Sequence, residues 1–283
     1  MKVNDLKKRC REYIQQLTQE IKNQRSHKKI IEYLNFCSRF HRYSFHNTIL
    51  IWTHKPNATF VAGFRKWHRL GRYIKKGEKG IPIFAPLIIK TKAQKTDPFE
   101  DEEEEEEVIR YKVVYVWDIS QTEGKPIPQA PDIKTVSGKT DLLPQLENVA
   151  KSYRISVKYS DIEGKYGIST GGEVVILKSL SDEEKFHTLV HEIAHELLHQ
   201  SPDGRALPKK LRELEAEATA YVVCRHFNLN PPSPSYLALY QVEEIEICSS
   251  LNRILNTSSN IIQTLEARLS KDILSSLPLR PNK

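Results

Sequence analysis

With 283 residues, 39% hydrophobic and 28% charged, the chain has the composition of a globular protein and is long enough for two ordinary domains. The longest apolar stretch, residues 81–89, is too short to cross a bilayer, and the N-terminal residues lack the apolar core of a secretory signal. We therefore expect no membrane segment and a cytoplasmic location, where the four widely spaced cysteines would be reduced thiols.

The net charge of +7 is unevenly distributed along the chain. Residues 1–99 contain 22 Lys and Arg against 6 Asp and Glu, whereas residues 129–283 are slightly negative. A strongly basic region attracts polyanions, so the N-terminal part is predicted to bind nucleic acid.

Local patterns in this basic part predict helices followed by a small sheet. Three helices are predicted from apolar residues at helical spacing, over residues 3–24, 28–40 and about 49–52. Three strands are predicted from short apolar or alternating runs, over residues 58–64, 81–86 and 111–117. The prolines of the second run place it at a sheet edge.

Residues 65–80 form a basic segment in which cations alternate with Trp67 and Tyr73. Cations neutralise phosphates and aromatic rings stack on bases, so this mixture suits a single-stranded nucleic acid. The local sequence leaves open the alternative that both rings belong to the core and that the cations only solvate a loop. The candidate binding residues of this segment are Arg65, Trp67, Arg69, Arg72, Lys75, Lys76 and Lys79.

Two polar stretches separate the candidate domains. Residues of about 91–107 end in eight consecutive acids and are predicted to be a disordered hairpin extension, which we hypothesise screens the basic face when no nucleic acid is bound. Proline-rich residues 123–140 are predicted to be a linker. The predicted domains are thus 1–122 and 141–283.

The second domain is predicted to be mainly helical with a small β-hairpin or sheet. A helix over 141–153 precedes two strands, 155–159 and 171–177, that we expect to pair as a hairpin. Three further helical regions follow, after Ser181, from Lys209 to about Phe227, and as two helices from Leu237 onward that pack against the site.

The helix after Ser181 contains the motif His191-Glu192-Ile193-Ala194-His195. Two histidines four residues apart on a helix point the same way, so both imidazoles can reach one ion. Glu192 can then act as general base on a water molecule bound to that ion. A capping box at the helix start and a regular apolar stripe favour this interpretation over a charge-rich helix with chance histidines.

An overlapping motif, His195-Glu196-Leu197-Leu198-His199, offers an alternative register. Its histidines lean away from the apolar stripe, whereas His191 and His195 lie beside it. Because a metal site lies at the edge of a core, the first register is favoured.

A zinc ion needs at least one more protein ligand, and the next helical segment offers glutamates. Glu217 is our first choice because small residues follow it and allow two helices to approach closely. Glu213 shares the same helix face and remains the alternative. The fourth position would hold the water molecule.

Several motifs resemble the ArdC-type antirestriction proteins, which are encoded on mobile elements. In the basic part they are Tyr43–Asn47, Val61–Trp67, Gly71–Ile81 and Val116–Thr122, and in the second part they are His191–His195 and Glu215–Tyr221. The resemblance covers nearly the whole chain, although the acidic run at residues 100–107 is not a recognised feature of the family.

The resemblance implies an α+β protein with an N-terminal α+β domain that binds single-stranded DNA. A zincin-like, gluzincin-type metallopeptidase domain similar to the ImmA/IrrE proteins would follow. It implies nucleic-acid contacts for Tyr43, His46 and Asn47, in addition to the basic segment. In the relatives, a glutamate placed like Glu217 is the third zinc ligand.

Two other functions remain open. The protein could be a DNA-binding protector or regulator whose zinc domain is structural or sensory and does not turn over. It could also be a protein–protein adaptor that uses its basic part for RNA. The peptide substrate of the first hypothesis is not indicated by any motif.

Overall fold

A computed structural model of the chain describes residues 1–22, 27–92, 105–127, 142–232 and 243–276. The chain divides into two compact units, the first comprising residues 1–14 and 46–127, the second residues 15–45 and 128–283. Residues 15–45 thus group with the second unit, whereas the domain prediction placed them with the first. Most of the predicted linker lies outside the described residues.

The N-terminal part of the chain contains four helices and five strands in its described residues. In chain order they are α1 (Val3–Lys22), α2 (His27–Arg39), α3 (Phe45–His54), β1 (Val61–Gly63), α4 (Phe64–Arg69), β2 (Arg72–Ile74), β3 (Ile81–Lys92), β4 (Glu105–Asp118), a one-turn helix (Ile119–Gln121) and β5 (Thr122–Gly124). The first unit holds an antiparallel sheet of order β1-β4-β3 and a two-stranded ribbon of β2 and β5. The edge position predicted for residues 81–86 is confirmed.

The basic segment folds around a buried tryptophan rather than as an open loop. Trp67 on α4 is completely buried, and its indole N–H donates to the backbone oxygen of Trp117 on β4 at 2.9 Å. The strand predicted over 58–64 is consequently shorter than expected, because the chain turns into α4 at Phe64 to place this ring in the core.

The prediction of a disordered extension is wrong at both ends of that segment. Strands β3 and β4 continue outward as a regular antiparallel hairpin, with Lys92 opposite Glu105 as the last pair. Residues 93–104 lie outside the described residues.

The second unit combines α2 with the C-terminal elements. These are α5 (Leu142–Ser152), β6 (Ser156–Ser160), β7 (Gly167–Ser169), β8 (Glu173–Leu177), α6 (Asp182–His199), the short α7 (Pro202–Ala206), α8 (Lys209–His226) and α9 (Glu244–Ser276). The structure has one long helix over Glu244–Ser276, where the sequence predicts two helices from residue 237 onward. The mixed helical and sheet content confirms the α+β fold class.

The predicted hairpin between residues 155–159 and 171–177 is wrong. Strands β6 and β8 pair in parallel, and the antiparallel partner of β8 is β7, which the sequence analysis missed. The reason is the tight turn at Gly171 and Gly172, whose φ values of 84° and 95° suit glycine and join β7 directly to β8. The sheet order is therefore β6-β8-β7, with β7 at an edge.

Helices α6 and α8 form the centre of the second unit. The predicted capping box is confirmed, since Ser181 Oγ accepts from the Glu184 N–H and the Glu184 carboxylate accepts from the Ser181 N–H. The apolar stripe of α6 is buried at Leu189, Val190, Ile193 and Ala194, and the small residues Ala216, Ala218 and Ala220 of α8 are buried as well. Small side chains allow the two helix backbones to approach closely, which brings the polar groups of both helices together.

Helix α2 belongs to this unit because it packs on α8. The side-chain oxygen of Asn35 accepts hydrogen bonds from Tyr221 and Arg225, each at 3.1 Å. Within the described residues, no helix combines the length and the apolarity that crossing a membrane requires. The four cysteines are free thiols, as predicted.

Candidate functional site

The helical spacing of His191 and His195 brings two imidazole nitrogens together on α6. Their Nε2 atoms lie 3.1 Å apart, and both rings line a cleft of about 850 Å³ in the second unit. Glu213 on α8 faces the same point, with Oε2 3.6 Å from Nε2 of His191 and 3.5 Å from Nε2 of His195. Three donor atoms from two helices therefore converge.

The spacing of these donors fits a tetrahedral metal ion. Zinc lies about 2.0–2.2 Å from nitrogen and oxygen ligands, which places tetrahedral ligands roughly 3.3–3.6 Å from one another. The two distances from Glu213 to the histidine nitrogens fall within that range, and the distance between the two nitrogens is just below it. Two imidazoles and one carboxylate are also a ligand set found in hydrolytic zinc sites.

Glu217 occupies a different place from the one that the sequence favoured. Its Oε2 lies 3.1 Å from Nδ1 of His191, on the side of the ring away from the donor cluster, and its Oε1 lies 3.4 Å from Nε2 of His187. Glu213 therefore faces the Nε2 atoms of both histidines, whereas Glu217 faces Nδ1 on the other side of the His191 ring. One helical turn separates these two carboxylates, which is why sequence spacing left both open.

The charges of this cluster support one another. Burial alone would lower the pKa of His191, but the carboxylates of Glu213 and Glu217 raise it to about 9. Burial alone would raise the pKa of Glu217, but His187 and His191 lower it to about 2. The carboxylates are therefore anionic at neutral pH, as ligands and ligand-orienting groups must be.

Glu192 lies at the wall of the cleft against strand β7. Its side chain is buried, and burial, as the largest cause, raises the pKa of its carboxyl group. A Cβ atom at Gly167 would lie 2.7 Å from Oε1 of Glu192, so only glycine allows the strand to approach this closely. The arrangement confines the Glu192 carboxylate between the histidines and the edge strand.

The overlapping motif uses its residues for other contacts. The Glu196 carboxylate accepts hydrogen bonds from the N–H groups of Gly171 and Gly172, at 2.8 and 2.6 Å, and so anchors the β7–β8 turn. His199 is buried and points into the helix interface. This geometry supports the first register.

A hydrogen-bonded chain leads from His195 into the core, and the sequence analysis missed it. Nδ1 of His195 lies 3.0 Å from Nδ1 of His199, whose Nε2 lies 3.1 Å from Oε2 of Glu215. Glu215 is completely buried and accepts from the Arg253 guanidinium of α9 at 2.6–3.1 Å. Burial alone would raise the pKa of Glu215, but His199 and Arg253 lower it.

Three of the predicted nucleic-acid contacts make contacts within the protein, and for Trp67 this corrects the prediction. Trp67 is buried in the core of the first unit and has no ring face for a base. Arg72 directs its guanidinium to oxygens of Thr122 and Lys125 and so joins β2 to β5. The Asn47 amide pairs with both backbone groups of Phe84, at 2.8 Å each.

The remaining candidates differ in their surroundings. Tyr43 is half-buried in the second unit, and burial raises the pKa of its hydroxyl group. The other predicted contacts have exposed side chains in the first unit, namely His46, Arg65, Arg69, Lys75, Lys76 and Lys79.

Of the exposed aromatic rings near these cations, the sequence analysis named Tyr73 and missed Phe64. Phe64 and Tyr73 are 59% and 55% exposed, and His68 lies between them with ring-centroid distances of 6.5 and 5.4 Å. Lys66 lies over the ring of the partly exposed Phe60. Phe64 and His68 are spaced i, i+4 on α4, which places both rings on one face, and this spacing was the available signal.

Comparison with known proteins agrees with both halves of this description. The family model of the N-terminal domain of anti-restriction factor ArdC matches residues 5–117, and that of the IrrE N-terminal-like domain matches residues 150–224. The uncharacterized Bacillus anthracis protein pXO2-81 is 25% identical over 300 residues. The match covers 90% of this chain and 51% of that protein, so the chain spans about half the length of this curated relative.

The fold is also that of a solved structure. The metal-free crystal structure of antirestriction protein ArdC from plasmid R388 has a TM-score of 0.52 and 18% identity, covering 81% of this chain and 86% of that one. A Mn(II)-bound structure of the same protein has a TM-score of 0.47 and 17% identity, covering 84% and 98% of the two chains. The two family models, which match an ArdC N-terminal domain followed by an IrrE-like domain, show that the chain belongs to the ArdC-type family.

Proposed function

We propose that this protein is a divalent-metal-dependent hydrolase of the peptidase type, joined to a unit that binds single-stranded DNA. The observation that carries the proposal is the convergence of the donor atoms of His191, His195 and Glu213 beside the buried Glu192. Because the chain belongs to an antirestriction family, we further propose that the protein acts in protecting mobile-element DNA.

The donor set suits zinc best. His191, His195 and Glu213 would hold the ion, because imidazole and carboxylate are borderline to hard ligands that zinc accepts together. Three protein ligands would be one fewer than the four that zinc usually takes. The ion would supply a Lewis acid that polarises a carbonyl group and lowers the pKa of a water molecule.

The other residues of the cluster have defined roles in this proposal. Glu192 takes a proton from the attacking water molecule and gives it to the departing amine nitrogen. Its raised pKa suits both steps, since a general base that is too weak would not accept the proton. Glu217 and His199 accept the Nδ1 protons of His191 and His195, which keeps each Nε2 lone pair directed at the donor cluster.

The edge strand supports a peptide as substrate. Among the described strands, β7 pairs with β8 on one side only, and its residues Gly167, Ile168 and Ser169 line the cleft beside Glu192. The free backbone groups of an edge strand can pair with an extended peptide. A peptide held this way would pass directly in front of the Glu192 carboxylate.

The surface of the first unit supports single-stranded DNA as ligand. Phe64 and Tyr73 expose ring faces on which unpaired bases can stack, and His68 lies between them. The exposed cations of the same segment neutralise phosphates.

The replacement Glu192→Gln tests the hydrolase half of the proposal. Glutamine has nearly the same shape but cannot accept the proton, so cleavage of an unfolded-protein or peptide-library substrate should fall by about 10²–10⁴-fold. Zinc content and binding to a single-stranded oligonucleotide should stay unchanged. Glu163→Gln is the control, because this glutamate of the second unit is exposed and does not line the cleft.

Two outcomes would overturn the hydrolase. One is a zinc-loaded wild-type protein that cleaves no peptide bond in the library, and the other is Glu192→Gln with undiminished cleavage. A protein that binds zinc and DNA with no turnover would be a non-catalytic protector.

A further inference from the structure

A second cluster of possible metal ligands lies in the second unit, away from the cleft. It consists of His41, just after α2, His226, at the end of α8, and Glu266 of α9. One donor atom from each residue lies within 4.8 Å of the other two. His226 follows Glu213 by 13 residues on the same helix, so the two clusters are separated by roughly 20 Å along the axis of α8.

The hydrogen bonds of His226 define where its proton lies. Nδ1 is 2.7 Å from the backbone oxygen of Ser38, which can only accept, so Nδ1 carries a hydrogen. In the neutral ring, the lone pair of Nε2 then faces Oε1 of Glu266 at 3.0 Å. Two lone pairs at this distance require a positive species between them, which is either a second proton on His226 or a metal ion.

His41 distinguishes between these two possibilities. Its side chain is buried, with the residue 5% exposed, and neither ring nitrogen has a hydrogen-bond partner among the described residues. Nε2 lies 3.7 Å from Oε2 of Glu266, and the ring centroid lies 4.6 Å from that of His226. A proton on His226 leaves His41 unsatisfied, at a cost of about 1–3 kcal/mol. A metal ion between the three side chains would give a partner to Nε2 of His226 and to one ring nitrogen of His41 together.

Arg42 also contacts this carboxylate but does not fill the cluster. Its Nη2 lies 2.9 Å from Oε2 of Glu266, and its side chain is 70% exposed, so it approaches from the solvent. A carboxylate offers about four lone-pair positions. Glu266 can therefore keep Arg42 on its outer side while its inner side faces the two histidines.

We propose that His41, His226 and Glu266 bind a second zinc ion, which has a structural role. Two imidazoles with one carboxylate suit zinc among the common metals. The contact between His226 and the Ser38 oxygen supplies the outer hydrogen bond that orients a zinc-ligating histidine. The ion fastens the end of α2 to α8 and α9, and thereby holds the helix that carries Glu213 and Glu217.

Metal counting on the full chain tests this site independently of the hydrolase. The front-site variant carries His191→Ala, His195→Ala and Glu213→Gln, which removes the first donor cluster. After chelation and reloading with zinc, native mass spectrometry should find two ions in the wild type and one in the front-site variant. Adding His41→Gln and His226→Gln to that variant should reduce the count to zero.

Two measurements keep the result interpretable. Zinc should raise the thermal unfolding temperature of the front-site variant and should not raise that of the five-fold variant, while far-UV circular dichroism checks that both are folded. Cobalt added to the front-site variant, in which all three proposed ligands are intact, should give the visible absorption of a tetrahedral imidazole-ligated ion.

The proposal is overturned if the front-site variant binds no zinc and shows no such cobalt spectrum. It is equally overturned if the zinc of that variant persists when His41 and His226 are both replaced. In either case the cluster is a buried ion pair between protonated His226 and Glu266.

Discussion

Two regions of this molecule show how differently two kinds of sequence signal predict structure. They are the donor cluster on α6 and α8 and the basic surface of the first unit. A spacing of four residues fixes the direction of a side chain on a helix, and His191 and His195 meet as that spacing requires. The basic segment was identified by composition, which carries no direction. Its most prominent ring, Trp67, lies in the core, and the exposed rings are Phe64 and Tyr73.

The same contrast holds around the donor cluster, where one helical turn separates a proposed ligand, Glu213, from Glu217, which orients His191. Glu213 faces the Nε2 atoms, and Glu217 faces Nδ1 of His191. A pattern that specifies a face of a helix does not specify a turn along it. The largest expected effect therefore concerns these two residues.

Glu213→Gln should abolish tight zinc binding at the first cluster, because a neutral amide replaces the only proposed anionic ligand. Glu217→Gln should weaken zinc binding by about 10–100-fold, which is typical when a group that orients a ligand is lost. The measurement is zinc affinity by competition with a chelating dye, in protein that carries His226→Gln so that the second cluster does not contribute. An opposite ranking of the two variants would make Glu217 the ligand.

The next largest effect concerns the stability of the hydrogen-bonded chain that leads from His195 to Arg253. Arg253→Met leaves the buried Glu215 carboxylate without its cationic partner, and breaking such a pair costs about 3–5 kcal/mol. Hydrogen exchange of the α8 amides is the suitable probe. Trp52, Trp67 and Trp117 all belong to the first unit, so their fluorescence serves as an internal control.

The matched comparison for Arg253→Met is Glu246→Gln. This change removes the other ion pair of Arg253, which is partly exposed, and such pairs contribute about 0–1 kcal/mol. An equal loss of protection from hydrogen exchange in the two variants would show that the ion pair between Arg253 and Glu215 does not account for the stability of α8.

The sequence predicted the parts of this molecule that depend on local periodicity. The capping box at Ser181, the helix α6 and the histidine pair follow from spacings of three and four residues. The parts that depend on distant packing were not predictable in this way. Arg253 lies 38 residues from Glu215, and β7 has only three residues, so neither gives a periodic signal.

A smaller effect is expected at β7, where a missed strand meets a predicted residue. Gly167→Ala places a methyl group 2.7 Å from Oε1 of Glu192 and from the Thr188 side chain. The strand or the carboxylate must move, and displacement of a catalytic group by about 1 Å can cost 10²-fold in rate. We expect kcat for peptide cleavage to fall by about that factor, with zinc affinity unchanged.

Gly63→Ala is the control for this change, since a Cβ atom there would meet no atom closer than 3.9 Å. Steady-state kinetics on one peptide substrate would compare both variants with the wild type. Unchanged kcat in Gly167→Ala would mean that the position of Glu192 relative to β7 is not critical for turnover.

The smallest effect tests the surface of the first unit. Removal of a ring that stacks on a base costs about 1–3 kcal/mol, so Phe64→Ala should weaken binding to a single-stranded oligonucleotide by about 5–150-fold. Tyr111→Ala is the matched control, because this ring is 53% exposed, similar to Phe64, but lies on the β3–β4 hairpin. Fluorescence anisotropy at one fixed salt concentration would measure the affinity of both variants, because cation contacts make the affinity salt-dependent.

Equal losses of affinity in the two variants would contradict a specific role of the α4 surface. A loss in Tyr111→Ala alone would indicate that DNA binds at the β3–β4 hairpin. A loss confined to Phe64→Ala would support binding at the exposed rings and cations of α4.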